Sequence, residues 1–241
     1  MQAIVLSRRD FREVDQLISV YTREQGKREL LARGIKKITS KNAAHLEPFS
    51  LVQIEVAAGR ELDHITTAQA MESFPAIRAA FMSSVMATTI VELVNDLTNN
   101  NQAETGLFDL LCNSLQTLEK QTVIPPWFVD AFALRCMVKL GFSPTLDRCV
   151  VCATKEADAW SLAVALGGKL CSSCRQNKYR DEVVYLDCSG VALTALESLL
   201  IGSVTVDIDH KSGSQLHEFV YQFLLFHSEK RVSDWVVAVS L

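Results

Sequence analysis

Two cysteine pairs constrain the fold of this chain more than any other feature of its sequence. The first pair is Cys149 and Cys152, the second is Cys171 and Cys174, and eighteen residues separate the pairs. Each Cys-x-x-Cys turn brings two thiolates to one loop, and two facing turns supply the four ligands of a tetrahedral zinc ion. The spacing therefore predicts a four-cysteine zinc ribbon at about residues 145–180. Four thiolates leave no open coordination position, so we expect a structural zinc.

The other three cysteines fit roles other than metal binding. Cys112 and Cys136 lie within helical apolar patterns, which predicts small buried side chains. Cys188 has no partner at ligand spacing, and we expect it to take no part in the site.

The sequence gives no sign of export or membrane insertion. Arg8, Arg9 and Asp10 interrupt the first apolar run, so no signal peptide is expected. No apolar run approaches the roughly 18 residues of a membrane span. We therefore expect a cytoplasmic protein without membrane contact, whose thiols stay reduced.

Charge is distributed unevenly along the chain. The net charge is -4, but residues 1–41 contain ten Lys/Arg against five Asp/Glu, and the remainder contains 14 against 23. A basic N-terminal segment on an acidic body predicts a polyanion-binding surface, with an ordinary solvated surface as the alternative. The candidate phosphate-binding residues are Arg8, Arg9, Lys27, Arg28, Arg33, Lys36, Lys37 and Lys41.

The first 75 residues follow a strand pattern. Alternating β-rich runs separated by turn residues suit a small closed barrel of the OB type, with an SH3-like barrel as the alternative. The predicted strands cover residues 2–7, 16–22, 27–33, 49–57 and 64–70.

From residue 76 the apolar period becomes helical. Thr105 is the expected cap of a helix that carries Leu107 to Leu118, and Ser189 the expected cap of another. We therefore predict an α+β protein: an OB-fold domain at 1–75, then an α-helical domain at 76–241 with the zinc ribbon inserted. The other predicted helices cover residues 76–98, 127–140, 190–201 and 212–227. Residues 204–209 are predicted to form a strand or a linker. Residues 235–241 are predicted to be an apolar tail that packs onto the body of the protein.

Enzyme signatures are weak. His45 and Glu47 form a His-x-Glu pattern upstream of a Cys-x-x-Cys, as in zinc deaminases. About a hundred residues separate the two, Arg148 rather than proline precedes Cys149, and the second cysteine pair competes for the metal, so a chance match is favoured. The chain also lacks a phosphate loop, a dinucleotide-binding fingerprint and a nucleophile elbow. We expect no catalytic activity.

Binding to nucleic acid should depend mainly on phosphate contacts. OB barrels bind single strands with cations along the backbone and aromatic rings against the bases. Cations are plentiful here, whereas the aromatic candidates are Phe11, Tyr21 and Phe49, of which Tyr21 lies in a strand pattern typical of core. This predicts salt-dependent binding with weak sequence preference. Four cations flank the second cysteine pair and either extend this surface or are simply solvated: Lys169, Arg175, Lys178 and Arg180.

The order and spacing of these motifs resemble the RecO family of recombination mediators over essentially the whole chain. The similar N-terminal pieces are Ala3–Leu6, Glu13-x-Asp15, Thr22–Lys27, Arg33-Gly34 and Lys36-Lys37; near the metal they are Gly141–Leu146, the first cysteine pair, Gly167-Gly168 and the second pair.

The resemblance implies a non-enzymatic protein of the RecFOR pathway of DNA recombination and the DNA damage response. Such proteins have an OB-fold head, a helical body and a zinc segment. They bind single- and double-stranded DNA, anneal complementary strands, and act with RecR to load RecA onto strands coated with single-stranded DNA-binding protein. This implies a cytoplasmic, nucleoid-associated location. The alternative function is a zinc-ribbon and OB-fold transcription or translation factor that binds RNA or a polymerase; a zinc hydrolase or deaminase would need an open metal site.

Overall fold

The structure is a computed structural model that describes residues 1–178, 184–202 and 208–228. These residues belong to two compact units, one comprising Met1–Ile124 and the other beginning at Pro125. The first unit therefore holds both the strands predicted for residues 1–75 and the first part of the helical region. Residues 204–207 and the predicted tail at 235–241 lie outside the described residues.

Five strands form a closed barrel, as predicted. β1 pairs with β2 and β4, β2 with β3, and β4 with β5, all antiparallel, and a parallel pairing of β3 with β5 closes the ring. This crossed order is the Greek-key arrangement of an OB fold rather than a simple meander. The strands are β1 Gln2–Asp10, β2 Gln16–Thr22, β3 Gly26–Ala32, β4 Leu51–Ala57 and β5 His64–Glu72.

The single helix predicted at 76–98 is wrong. The chain forms two helices there, α1 at Pro75–Ala79 and α2 at Phe81–Leu97. They are separated by Ala80, whose backbone is extended at φ −107° and ψ 118°. An apolar period counted through that break changes phase, and Phe81, which continues the apolar spacing of Ile77 in a single helix, is 73% exposed.

Helix α3 spans Leu107–Lys120, and its predicted cap is also wrong. Gly106 is the N-cap at φ 77°, with no side-chain hydrogen bond, instead of Thr105. The left-handed backbone favours glycine at this position. The predicted buried face is confirmed by Leu107, Leu111 and Leu115, which have no solvent exposure.

The apolar side chains of the strands fill the barrel, and α2 covers part of its outer wall. Val5, Ile18 and Leu30 are fully buried inside. Helix α2 packs against β1 and β2, where the Ser19 hydroxyl donates to the Asn95 side-chain oxygen at 2.8 Å. The outer face of this part of the barrel is thus occupied by protein.

The second unit combines helices with a small sheet. The sheet has the order β7-β6-β8. Its strands were not predicted, because each has only two to four residues. In chain order, the elements are α4 Phe128–Lys139, β6 Trp160–Ala163, β7 Gly168–Cys171, α5 Ser172–Lys178, β8 Leu186–Asp187, α6 Gly190–Ile201 and α7 His210–His227.

The helix ends in this unit follow local capping chemistry. Ser189 caps α6 as predicted, accepting from the Ala192 N–H at 3.1 Å. Helix α7 begins two residues before the predicted Ser212, because Asp209 is its cap and accepts from the Ser212 N–H at 3.0 Å. Across the described residues, no helix has the length and apolar content that a membrane crossing requires.

Candidate metal centre and nucleic-acid interface

The four predicted cysteines lie together in the second unit. Their Sγ atoms all fall within 4.8 Å of one another, and those of Cys152 and Cys171 are 3.7 Å apart. A tetrahedron with metal–sulfur bonds of about 2.3 Å has edges of about 3.8 Å. The described cysteines are all free thiols. The donor set therefore fits a metal ion held by four sulfurs.

Each pair is shaped by its own backbone. In the first, Ala153 adopts φ 59° and donates its N–H to the Cys149 carbonyl at 2.9 Å, which closes the turn. In the second, Cys171 ends β7 and Cys174 lies in the first turn of α5, with its N–H directed at the Cys171 sulfur at 3.4 Å. The Val150 N–H donates to the Lys169 carbonyl at 2.9 Å and ties the two turns together.

The electrostatics of the cluster favour a cation. Burial raises the pKa of Cys149, but backbone hydrogen bonds at Cys152, Cys171 and Val151 outweigh it and lower the pKa to about 6. Burial, contacts with the other thiols and the charge of Cys149 raise the pKa of Cys174 to about 12. The Cys149 thiolate forms readily, and its negative charge makes ionisation of the Cys174 thiol less favourable. A bound divalent cation reverses that effect, so binding releases protons and weakens as pH falls.

The remaining cysteines lie outside this cluster. Cys136 is fully buried, as predicted, and its burial raises its pKa to about 12. Cys112 is only partly buried. Burial, followed by the charge of Glu197, raises the pKa of Cys188 to about 11. Neutral thiols of this kind are poor nucleophiles.

Two of the cations beside the second pair have partners within the second unit, one on α6 and one in the ribbon. The Lys169 side chain is 6% exposed, and its ammonium lies 3.3 Å from the Glu197 carboxylate. Arg175 donates to the Ser161 hydroxyl at 2.7 Å. Lys169 is therefore buried between the ribbon and α6 and does not extend a nucleic-acid surface, whereas Arg175 bonds within the ribbon and stays 41% exposed. The side chains of Lys178 and Arg180 lie outside the described residues.

Most of the predicted DNA-binding residues on the barrel already have partners. Because strand pairing and loops bring distant acids beside them, four are in ion pairs. A fifth, Lys27, donates to the Asn95 carbonyl near the end of α2. The ion pairs are Arg8 with Glu47, Arg9 with Glu29 at 2.6 Å, Arg28 with Asp63 at 2.6 Å, and Lys36 with Asp10 at 2.8 Å.

Arg33, Lys37 and Lys41 differ from that group. All three are exposed and, within the described part of the chain, form no ion pair with an acidic side chain. They lie on residues 33–41, which we call the basic loop, between β3 and β4. Residues 33–46 contain no Asp or Glu, so the loop carries a local excess of positive charge.

The turn between β1 and β2 lies against the basic loop. The Gly34 N–H donates to the Asp15 carboxylate at 2.7 Å, and the Lys36 N–H donates to the Val14 carbonyl at 3.1 Å. We call residues 11–15 together with the basic loop the barrel tip. Arg12 in this turn is exposed, with its guanidinium 5.0 Å from the centre of the Phe11 ring. The charge pattern alone did not single it out, whereas its place between two predicted strands could have.

The three aromatic candidates divide between core and surface. Tyr21 is 1% exposed and its hydroxyl accepts from the Glu104 N–H at 3.1 Å. Phe49 is 6% exposed, whereas Phe11 is 42% exposed. Phe11 is therefore the candidate from this group that can reach a ligand.

Comparison with known proteins identifies the family. Residues 1–74 match the model described as Recombination protein O N terminal, and residues 80–235 match Recombination protein O C terminal. The chain belongs to the RecO family. Three proteins named DNA repair protein RecO are similar to this chain along nearly their whole length. Identity is 33% for Pelotomaculum thermopropionicum (97% of this chain, 90% of that protein), 30% for Desulforudis audaxviator (95% and 91%) and 29% for Symbiobacterium thermophilum (97% and 94%).

Within this RecO-family chain, the His-x-Glu pattern has structural contacts. His45 Nδ1 accepts from the Ala70 N–H at 3.3 Å, and Glu47 pairs with Arg8. Neither residue belongs to the cysteine cluster, which is complete with four sulfurs. The ligand set of a zinc deaminase is therefore not assembled from His45.

Proposed function

We propose that this protein is a non-enzymatic mediator of recombinational DNA repair. It binds single- and double-stranded DNA, anneals complementary strands, and helps load RecA onto strands coated with single-stranded DNA-binding protein. The observation that carries the proposal is the basic loop, with exposed cations that have no acidic partner among the described residues. Membership of a family whose relatives are named DNA repair proteins supports it.

Annealing follows from phosphate binding alone. Cations of the loop replace the counterions of a DNA backbone, which gives affinity without sequence preference. Two strands held beside the same cations repel each other less, so base pairing proceeds without ATP. Arg33, Lys37 and Lys41 make the first contacts. The paired cations contribute where a phosphate displaces their acidic partner.

The cysteine cluster takes a structural role in this proposal. The resident ion is zinc, because four thiolates in a tetrahedral arrangement are its usual structural ligands. Cys149, Cys152, Cys171 and Cys174 hold it and leave no position for a reacting water. Zinc therefore stabilises the ribbon and supplies no reaction step.

The proposed partners follow from the role in RecA loading. They are DNA, RecR and single-stranded DNA-binding protein, with RecA as an indirect partner. Apolar grooves of the helical body are the proposed docking place for the tail of the single-stranded DNA-binding protein. We place the protein in the cytoplasm at the nucleoid, because its proposed ligand is chromosomal DNA.

A salt titration of DNA binding tests the loop. The triple variant Arg33→Ala, Lys37→Ala, Lys41→Ala should weaken single-strand binding and reduce the slope of log Kobs against log salt by about 2, since each phosphate contact contributes about 0.7. The matched control removes three exposed cations elsewhere, through Arg60→Ala, Lys120→Ala and Lys139→Ala. An unchanged slope in the loop variant, or equal losses in both variants, would refute the assignment.

An annealing assay separates this function from an RNA- or polymerase-binding role. The wild-type protein should accelerate pairing of complementary DNA strands without ATP, both bare and coated with single-stranded DNA-binding protein. The loop variant should lose most of the acceleration and the control variant should keep it. Strand pairing at the uncatalysed rate with wild-type protein would contradict the proposal.

A further inference from the structure

Two apolar side chains are exposed at the barrel tip. Ile38 has a relative exposure of 105%, so its whole side chain faces solvent, and Phe11 is 42% exposed. Isolated exposed apolar residues are common on protein surfaces. These two differ because they lie on neighbouring segments that also carry the cations without acidic partners.

The exposure of Ile38 is imposed by an ordered turn. The Lys37 N–H donates to the Gly34 carbonyl at 3.1 Å, and the Ser40 N–H donates to the Lys37 carbonyl at 2.9 Å. Ile35, three residues before Ile38, is 2% exposed and belongs to the barrel core. The loop therefore buries one isoleucine as an anchor and presents the other.

The far side of the basic loop is also fixed to the barrel. The Asn42 side chain donates to the Thr66 carbonyl at 3.3 Å and accepts from the Ala68 N–H at 3.2 Å. With the Gly34 and Lys36 contacts described above, both ends of the loop are attached to strands or their turns. Such a loop loses little entropy when it binds a ligand.

An apolar tip surrounded by cations complements unpaired DNA. A single strand offers phosphates along one side and flat apolar base faces on the other, and proteins bind it with cations and stacking side chains. Aliphatic side chains insert between the base steps of some duplexes at the cost of unstacking them, and bases that are not held in a duplex can separate at a lower cost. Of the three aromatic residues considered for stacking, Phe11 alone is exposed, since Tyr21 and Phe49 lie in the core.

We propose that Phe11 and Ile38 contact the bases of unpaired DNA, Phe11 by stacking and Ile38 by insertion between adjacent bases. This rests on the proposed function, since the loop cations hold the strand against the tip. The two side chains add affinity wherever base faces are accessible. The tip therefore favours unpaired strands over duplex, without reading sequence.

The test separates base contacts from phosphate contacts. Binding is measured for an oligothymidylate, for a strand of equal length and phosphate number that lacks all bases, and for anionic lipid vesicles. The double variant Phe11→Ser, Ile38→Ser should bind oligothymidylate about tenfold more weakly, a loss typical of one stacked base. Its affinity for the abasic strand and its salt slope should not change. The control is Val123→Ser, which alters an apolar side chain that is 82% exposed outside the tip.

A gain of affinity provides a second measurement. Ile38→Trp adds a larger stacking surface at an exposed position, and should strengthen binding of oligothymidylate but not of the abasic strand. Equal losses on both strands in the double variant, no loss on either, or a loss confined to lipid vesicles would each overturn the base-contact proposal. If the wild-type protein bound neither strand at low salt, the proposed function would fail as well.

Discussion

Arg9 and Lys37 lie on the same barrel, yet their surroundings differ. Arg9 meets the Glu29 carboxylate at 2.6 Å, whereas Lys37 is exposed and has no acidic partner among the described residues. Exposed ion pairs add little to stability, but the Glu29 carboxylate offsets the positive charge that attracts a phosphate to Arg9. Glu29 is twenty residues from Arg9 in sequence, and only strand register brings the two together. Counting charges could therefore predict the basic surface but not which cations are available.

Gly168 is a second residue whose importance only the structure reveals. A Cβ added there would lie 2.1 Å from the Thr145 carbonyl oxygen, which also accepts from the Lys169 N–H at 2.9 Å. Neither backbone can move without breaking this pairing. Gly168→Ala should therefore lower the free energy of unfolding by about 1–3 kcal/mol, the usual range for overpacking.

The matched control for that substitution is Gly190→Ala. Gly190 is the first residue of α6, and an added Cβ would meet nothing within 4 Å. Because alanine is favoured over glycine in helices, stability should stay the same or rise slightly. Urea unfolding curves of both variants give the comparison. Equal stability of Gly168→Ala and the wild type would show that the close approach does not matter.

At the scale of elements, long periodic segments were predictable, and most of their ends were predictable to within two residues. Helices α3, α4 and α7 were predicted to within two residues, because their apolar stripes repeat over three or more turns. The division between α1 and α2 was missed. A single extended residue, Ala80, breaks the helix there, and alanine carries no breaking signal.

The ribbon is the element whose stability would depend most on the proposed metal. Its small core consists of Cys149, Ala163, Leu170 and Cys171, with a few partly buried neighbours. Two of those four core residues are cysteines of the metal cluster. The sequence could predict this dependence, because the two Cys-x-x-Cys turns are recognised from residues close together in the chain. The strands β6 to β8 beside the site could not be predicted, because each has too few residues to show an alternating pattern.

Replacing the first pair should therefore release the metal and unfold the ribbon. For Cys149→Ser with Cys152→Ser we expect loss of bound zinc by elemental analysis and a lower melting temperature. Cys188→Ser should retain both the metal and the stability, because Cys188 lies outside the cluster. Freshly purified wild-type protein without bound metal would contradict the assignment.

At the scale of the whole molecule, each compact unit has its own source of stability. The barrel has a closed ring of strands around an apolar core that includes Val5, Val20 and Ile54. The second unit contains the cysteine cluster. The overall plan of barrel, helices and cysteine-rich segment could be predicted from the period of the apolar residues and the spacing of the cysteines. The extent of the first unit, which continues to Ile124, could not, because it depends on which helices pack onto the barrel.

Chelation should reveal this division. On adding a strong zinc chelator to the intact protein, we expect amide hydrogen exchange to increase at residues 149–171 while the barrel strands stay protected. Removal of a structural metal takes away the folding energy of the ribbon, and local opening is confined to the elements that lose their contacts. An equal rise in β1–β5 would show that the metal stabilises the barrel too.

The ion pairs on the barrel have a consequence for how long a DNA strand stays bound. Four of the predicted cations are in ion pairs and Lys27 is bonded to the Asn95 carbonyl, so Arg33, Lys37 and Lys41 remain for phosphates. Arg12, which was not predicted, adds a fourth exposed cation at the barrel tip. A footprint of about four phosphates gives a salt slope near −3 on a single strand. We expect such a complex to have a short residence time, because differences in affinity act mainly through the dissociation rate. Rapid release would suit the proposed function, in which the protein passes its strand to a complementary strand or to a recombinase and then leaves.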